Sequence, residues 1–446
     1  MTKPNASPRA IACLTRTSAD AYSAHIPGSK SYTNRALVLA ASRQGTTEVV
    51  GGLDCDDTRR LARALDAFDG LEVRASPDGF RVVRSREHLC APEAEIHMGA
   101  AGTPARFALA FSAAAQGSTV VTGTPRLCER PMADLLTTLR SIGIRCECLG
   151  AEGHLPTRIH GGSVTTKEWS IHGGVSSQFT SSLLLYAAQQ ASGPIHVHIE
   201  GNQVSRPYVE MTRAMMRACG IGSERRAEDH IVVLPKEPAL ERIQVEVDAS
   251  GMSYFLAAAA VTGTTVLIPG IGRGSAQGDV GLARALERMG CKLDLGDSSI
   301  SLTGGPLRGI DIDMETMPDV VLTLAAVAAR AEGPTRITNI ANLRVKECDR
   351  IHAAAAELGR LGARVDEGSD SLLIHPTTQL RPALVHTYDD HRVAMAFAIL
   401  GLVSPGVEIE DPDCVAKSFP DYWNELERFR AHHSAGDRGH AHPFRS

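Results

Sequence analysis

The stretch Ala41-Ser-Arg-Gln-Gly45-Thr-Thr-Glu-Val-Val50 contains the junction from which the whole fold can be laid out. An Ala/Leu-rich run with helical spacing stops at a glycine and passes straight into alternating Thr and Val, the pattern of a helix C-terminus followed by a strand. The junction returns as Ala115-Gln-Gly117-Ser-Thr-Val-Val121, and again at Gly193, Gly263, Gly333 and Gly406. Subtracting successive positions gives spacings of 72, 76, 70, 70 and 73 residues, so six units of near-constant length account for the chain. A second landmark keeps the same spacing: a helix, a terminal glycine and two short strands, as in Leu282-Ala-Arg-Ala-Leu-Glu-Arg-Met-Gly290-Cys-Lys-Leu-Asp-Leu295, and similarly around Gly143, Gly220 and Gly362.

Each unit is thus predicted to hold two helices and three or four strands, which makes an α/β protein. Six units divide most simply into two domains of three. The midpoint falls between Gln244 and Asp248, after the strand-like Ile231-Val-Val-Leu234 and before the helix-like run from Tyr254 to Val261. A cleft hinged between two domains needs a second crossing, and Pro27-Gly28 breaks a strand where one is required. The expected domains are therefore 28–246 and a discontinuous one of 1–27 plus 247–446.

Composition narrows the function. The 446 residues carry 46 basic and 51 acidic side chains, a formal net charge of −5, with no long block of one sign. No nucleic-acid-binding surface is expected, and any bound anion must be held by a local cluster. The N-terminus has no signal-like apolar run, and no stretch is long and apolar enough to span a membrane. Ten scattered cysteines support neither a disulfide framework nor a zinc site, so a soluble protein of the reducing cytoplasm is expected. Residues 431–446, rich in His, Arg and Gly, read as a disordered tail.

Several loops that open helices carry chemistry-bearing residues. Pro27-Gly-Ser-Lys30-Ser31-Tyr-Thr-Asn-Arg35 places two cations and several hydroxyls at a positive helix end, suited to an anion; a serine cap with solvated cations is the bland alternative. Gly99-Ala-Ala-Gly102-Thr-Pro-Ala-Arg106, Glu129-Arg130-Pro-Met132 and Ser176-Ser177-Gln178 also precede helices. In Asn342-Leu-Arg344-Val-Lys346-Glu347-Cys-Asp349-Arg350, Lys346 and Arg350 would share a face if the segment is helical; a surface salt-bridge ladder competes with that reading. Asp389 and Asp390, ahead of His391 and Arg392, could ligate Mg²⁺ but are better taken as helix caps, as are Asp54, Asp56 and Asp57.

Taken in order, PGSKSYTNRA, AGTPARF, ERPM, SSQ, SRPY, DASGMSYFLAA, MPDVVLTLA, NLRVKECDR, YDDHRVAMAFA and AKSFPDYW resemble the motifs of the 3-phosphoshikimate 1-carboxyvinyltransferase (EPSP synthase) family over about Ile11 to Arg428. The resemblance implies an enolpyruvyl transferase-like fold, an inside-out α/β barrel of two domains, each of three βαβαββ repeats, joined by two crossings. It implies transfer of the enolpyruvyl group of phosphoenolpyruvate to the 5-hydroxyl of 3-phosphoshikimate, in aromatic amino acid biosynthesis, by a monomer needing no metal or other cofactor. Carried over by motif, Lys30, Ser31, Arg35, Ser176, Ser177, Gln178, Ser205, Tyr208, Asp319, Asn342 and Lys346 would hold phosphoshikimate. Lys30, Gly102, Arg130, Gln178, Arg350, Arg392 and Lys417 would hold phosphoenolpyruvate, and Asp319, Glu347 and Lys30 would move protons. The chain departs from the family pattern with Ala100 where Asn is usual, Phe107 where Pro often stands and Cys348 in place of a common Thr. A relative acting on another acceptor, such as the UDP-N-acetylglucosamine enolpyruvyl transferase, and a silent anion-binding homologue are the rival readings.

Two phosphates and a carboxylate would bring roughly four to five negative charges into one cleft. Lys30, Arg35, Arg130, Lys346, Arg350, Arg392 and Lys417 stand ready to meet them. If those cations are unpaired, their repulsion should hold the cleft open until substrates arrive.

Overall fold

The computed structural model describes residues 7–15, 20–190 and 193–434. Six small sheets repeat one arrangement. In the first, strand Arg242–Gln244 runs parallel to Gly45–Val50, which pairs antiparallel with Gly79–Arg84, itself antiparallel to Leu71–Ser76. The central strand of every sheet starts at or just after a junction glycine: Gly45–Val50, Ser118–Thr122, Ile195–Glu200, Thr265–Pro269, Thr335–Thr338 and Val407–Ile409. The six junction glycines have φ between 72° and 99°, the left-handed region that a Cβ disfavours, which is why the repeat is punctuated by this residue. The sixth sheet has three strands, because the chain runs on into helix Tyr422–Ser434 and Arg9–Ala10 takes the antiparallel place beside Val407–Ile409.

The helices lie inside and the sheets outside. Gly102–Ser112, Ser177–Ala187, Val321–Ala328 and His391–Gly401 are buried along nearly their whole length, and Ala249–Thr262 along all but its last turn. Such all-round apolar helices have no polar face to offer water and must be central. Two apolar clusters result. One takes its residues from Ala36 to Val245; the other joins Ile11, Tyr22 and Ala24 to residues 249–429. Each well-buried Leu, Ile or Phe in them contributes about 1.5–3 kcal/mol.

Chain order and cluster membership part company at two places. Strand Tyr22–Ser23 pairs with Thr265–Pro269 of the C-terminal half, while Arg242–Gln244 pairs with Gly45–Val50 of the N-terminal half. The two crossings run side by side: Ser29 N donates to Glu246 O at 2.7 Å, Asp248 N to Pro27 O at 2.9 Å, and Gly28 bridges Val247.

Residues 431–434 correct the reading of the tail. They are the last turn of helix Tyr422–Ser434, where His433 is buried against the Phe429 ring at 4.8 Å between centroids. Polar composition hid this because Phe429 and His433, four residues apart, turn one face to Tyr22. The remainder of the expected tail, 435–446, lies outside the described residues.

Gly28 is the point at which the crossing tolerates least. A Cβ there would stand 1.8 Å from the Gly51 carbonyl oxygen and 3.2 Å from Val245 Cγ1. Gly28→Ala is expected to lower stability by about 1–3 kcal/mol through forced backbone displacement, read as a lower urea midpoint at unchanged m-value.

Candidate active site

The central helices begin at one cleft between the halves. Lys30–Ser42, Gly102–Ser112 and Ser177–Ala187 come from one side; Ala249–Thr262, Val321–Ala328 and His391–Gly401 come from the other. Ser29, Ser176, Asp248 and Asp390 cap four of them with side-chain acceptors. Positive helix ends therefore point inward, and a narrow cavity open in part to solvent lies among them.

Of the residues expected from sequence, Lys30, Ser31, Arg35, Arg130, Ser177, Gln178, Ser205, Tyr208, Asp319, Lys346, Glu347, Arg350 and Arg392 line this cavity. The other four adjoin it. Ser176 caps its helix by accepting from Gln178 N at 3.3 Å, and Asn342 Nδ2 donates to Ser205 Oγ at 3.1 Å. Lys417 Nζ lies 3.3 Å from Glu347 Oε1, and Gly102 leaves room for the Arg130 guanidinium, which a Cβ would meet at 2.5 Å.

Five of the seven cleft cations, Lys30, Arg130, Arg350, Arg392 and Lys417, lie within 4.0 Å of a carboxylate, which corrects the premise of a wholly unpaired set. Arg350, 2% exposed, reaches Asp390 at 2.8 Å, Glu347 at 2.9 Å and Asp319 at 3.1 Å. Arg392 pairs with Asp319 at 2.8 Å, and Lys30 with Asp57 at 3.1 Å. Contacts also cross the cleft. Tyr208 Oη donates to Asp319 Oδ2 at 2.9 Å, Lys417 Nζ donates to Ala100 O at 3.1 Å, and Arg126 reaches the carbonyls of Lys346 and Glu347 at 3.2 and 3.1 Å. Four paired carboxylates, Asp57, Asp319, Glu347 and Asp390, nonetheless face seven cations, so the balance still favours incoming anions. Arg130 Nε and Nη1 and both ring nitrogens of His391 make no hydrogen bond among the described residues. Arg130 Nη1 lies 3.7 Å from Glu347 Oε1 and His391 Nδ1 lies 3.6 Å from Asp390 Oδ1, both longer than a hydrogen bond.

Arg35 is the exception among the cations. Thr212 Oγ1, Ser31 O, Ser181 Oγ and Tyr208 O accept from its guanidinium at 2.7–3.1 Å, and its charge sits over the Phe107 ring. At most one of its five N–H groups remains for a substrate, so its main task is to lock Ser31 against the Arg206–Ala218 helix.

Burial and charge set the protonation states. Burial alone would raise Asp319, but Arg392, Lys346, Arg350 and Lys30 outweigh it and hold the carboxyl below its ordinary value. Glu347 is likewise held down, against burial, by Lys417, Arg350 and Arg130. Burial opposes the Lys30 ammonium most strongly, yet Asp57 and Glu347 together outweigh it and keep the proton on. His391 is kept neutral by burial, with Lys30, Arg392 and Lys417 adding repulsion. Desolvation pushes Lys346 down to about 8, the Asp319 attraction notwithstanding.

Two local expectations are corrected. Lys346 and Arg350 do not share a helix face: Lys346 ends the short helix Ala341–Val345 in extended backbone, and Arg350 starts the next helix after its cap, Asp349. Asp57 is no cap, since Cys55 holds that position; it is buried beside Lys30. Sequence reasoning missed Asp57, Thr103 and His391 as cleft residues. Asp57 stood in an acidic run that resembles ordinary helix-start chemistry, and His391 stood in a motif already assigned to Arg392. Asp390, taken as a cap, does accept from Arg392 N at 2.9 Å, and its other task is the Arg350 pair.

The fold and site define an enolpyruvyl transferase-like α/β protein. Solved structures of EPSP synthase from Acinetobacter baumannii (TM-score 0.79, 26% identity) and of the enolpyruvyl transferase NikO from Streptomyces tendae (TM-score 0.75, 19% identity) each align with 95% of this chain and 98% of their own. The NikO likeness concerns the fold alone. The family model for EPSP synthase (3-phosphoshikimate 1-carboxyvinyltransferase) matches residues 22–426. Curated proteins of that name from Sulfurovum sp. and Edwardsiella ictaluri are 41% and 43% identical to the chain, covering 90% of it and 95% and 94% of themselves. The chain belongs to the EPSP synthase family. Among the described residues no helix is long and apolar enough to cross a membrane.

The Lys346 environment has a measurable consequence. An ammonium that binds an anion is lost as pH rises through its pKa, so kcat/KM, which reports the free protein, should fall above pH 8. Lys346→Arg, whose charge persists, should move that decline to higher pH; an unshifted profile would remove Lys346 from the anion site.

Proposed function

We propose that this protein transfers the enolpyruvyl group of phosphoenolpyruvate to the 5-hydroxyl of 3-phosphoshikimate, releasing phosphate through a tetrahedral intermediate in the shikimate pathway. The observation that carries the reading is the cluster of Arg130, Lys346, Arg350 and Arg392 packed against the two ionised carboxylates Asp319 and Glu347 in one cleft, with Arg130 Nε and Nη1 left without a hydrogen bond among the described residues. A site for two multiply charged anions that exchange protons needs both features. The names of the relatives point to the same substrates.

Arg130, Arg350, Arg392, Lys417 and Lys30, with the small Gly102, would hold the phosphate and carboxylate of phosphoenolpyruvate. Ser176, Ser177, Gln178, Ser205, Tyr208, Asn342 and Lys346 would hold phosphoshikimate, with Lys30 and Ser31 between the two and Arg35 bracing them. Asp319 would take the proton of the attacking hydroxyl as its oxygen bonds to carbon 2. Glu347, with Lys30 beside it, would deliver a proton to carbon 3, giving the adduct. Loss of phosphate and return of a methyl proton then restore the double bond. Neighbouring cations hold Asp319 and Glu347 both ionised, so arrival of anions on Arg350, Arg392 and Lys417 would relax that grip and raise both pKa values toward useful proton exchange.

The protein would act as a monomer, since one chain supplies both walls of the cleft, and in the cytoplasm, which suits the buried thiols Cys55, Cys146, Cys219, Cys291 and Cys414. We place the domains at 28–246 and at 1–27 with 247–446, a division supported by the two apolar clusters and the paired crossings at Gly28 and Val247.

Purified protein should release phosphate from phosphoenolpyruvate only when phosphoshikimate is present. Release without that acceptor, or none with both, would overturn the reading. Asp319→Asn should lower kcat by about 10²–10⁴-fold, the usual range for a general base, as measured by single-turnover product formation.

A further inference from the structure

We propose that Asp279 is a positioning residue for this reaction: a carboxylic acid that donates its proton to the Tyr208 phenol oxygen and so commits the phenol's single hydrogen to Asp319. The inference rests on the reading of Asp319 as the base. Asp279 lies in the short helical turn Gly278–Val280, outside every motif discussed above.

Tyr208 Oη lies 2.9 Å from Asp319 Oδ2 and 3.3 Å from Asp279 Oδ2. A phenol has one hydrogen to give, and ionised carboxylates only accept. Both contacts can be hydrogen bonds only if one of the two carboxyls carries a proton. Asp319 is the wrong candidate, because Arg392 and Arg350 grip its two oxygens at 2.8 and 3.1 Å. Asp279 makes no salt bridge among the described residues, is 3% exposed, and leaves Oδ1 without a hydrogen-bond partner, a placement far less costly for an acid than for an anion. Its Oδ2 accepts from the Ser250 hydroxyl and keeps the capacity to donate toward Tyr208.

The charged surroundings agree. Facing Asp279 are Asp319 and Asp248, which resist its ionisation, and Arg392, which favours it; burial is the largest influence, and the carboxyl is pushed up to about 7. Tyr208 cannot relieve the pair by ionising, since burial, Asp279 and Asp319 hold its own pKa well above the ordinary phenol value.

The consequence is orientation of the base. With Tyr208 and Arg392 on Oδ2 and Arg350 on Oδ1, three of the roughly four lone-pair positions of Asp319 are filled, which leaves one for the acceptor hydroxyl. Were Asp279 ionised, it would compete for the phenol hydrogen and set a second negative charge beside Asp319. Tyr208 comes from the opposite half of the chain, so this proton also helps to seat one wall of the cleft against the other.

The test compares wild type, Asp279→Asn and Asp279→Ala by the pH dependence of phosphoshikimate-dependent phosphate release and by infrared difference spectra. Asn, whose amide N–H replaces the acid's O–H, should keep kcat within about threefold at pH 6.5 and lose the decline that wild type shows as Asp279 ionises; Ala should lower kcat at least about tenfold with KM within about threefold. Wild type at pH 6.5 should also show a protonated-carboxyl band that is absent from Asp279→Asn. An Asn variant as impaired as Ala, an Asn pH profile that superimposes on wild type, or a missing band would overturn the proposal. The spectra need no turnover, so they decide the protonation of Asp279 even if phosphoshikimate proves not to be the acceptor, and they decide it in the Asn variant if Ala does not fold.

Discussion

The site depends on one buried guanidinium shared by three carboxylates. Arg350 binds Asp390, Glu347 and Asp319 within 2.8–3.1 Å, and these carboxylates sit on separate segments of the chain. Removing any single partner would leave buried charge uncompensated, the arrangement in which ion pairs matter most. Through this hub the start of the His391–Gly401 helix, the turn before Val321–Ala328 and the extended link at Lys346–Asp349 are held at fixed distances. Both candidate proton-transfer carboxylates are thereby fixed before any ligand arrives.

The hub lies where it does because the fold turns helices inward. Apolar helices at the centre of each half leave their N-termini as the natural place for polar residues, and those ends converge across the cleft. Positive helix ends, seven cations and four carboxylates then occupy one small volume, and opposite charges settle the contest largely in pairs. A cleft of this kind is preorganised: an entering anion exchanges one paired partner for another instead of entering a field of bare charge. The departures from the family pattern fit within this frame. Ala100 contributes its carbonyl to Lys417, Phe107 lies beneath Arg35, and the Cys348 thiol faces Asp390 at 3.5 Å, so each alters a neighbour of the charged set and leaves its members in place.

Much of this was legible in the residues. The glycine-punctuated period anticipated six equivalent sheets, because a left-handed helix end is a local demand that only a few residues meet. Lys30, Arg130, Ser177, Asp319, Glu347, Arg350 and Arg392 could be named because they stand in short motifs at helix starts, where local chemistry and position coincide. Asp57 and Asp279 could not. Each looks in sequence like an ordinary acidic residue at a helix start, and its importance comes from a partner far along the chain: Lys30 in one case, Tyr208 and Asp319 in the other. The tail illustrates the opposite failure, where a polar composition concealed His433 packed beside Phe429 and Tyr22.

The sequence by itself determined the repeat, the helix ends, the α/β class and most of the charged residues, since all of these follow from backbone preference, apolar periodicity and residue type over short spans. Only the tertiary structure decided which charges neutralise one another, that Arg35 is consumed by its neighbours, that most of the cleft cations are paired with carboxylates, and that Asp279 and Asp319 both reach the one phenol oxygen of Tyr208. Those outcomes depend on distances of about 3 Å between residues tens to hundreds of positions apart, where burial and Coulomb energy change steeply with placement and no local pattern records the result.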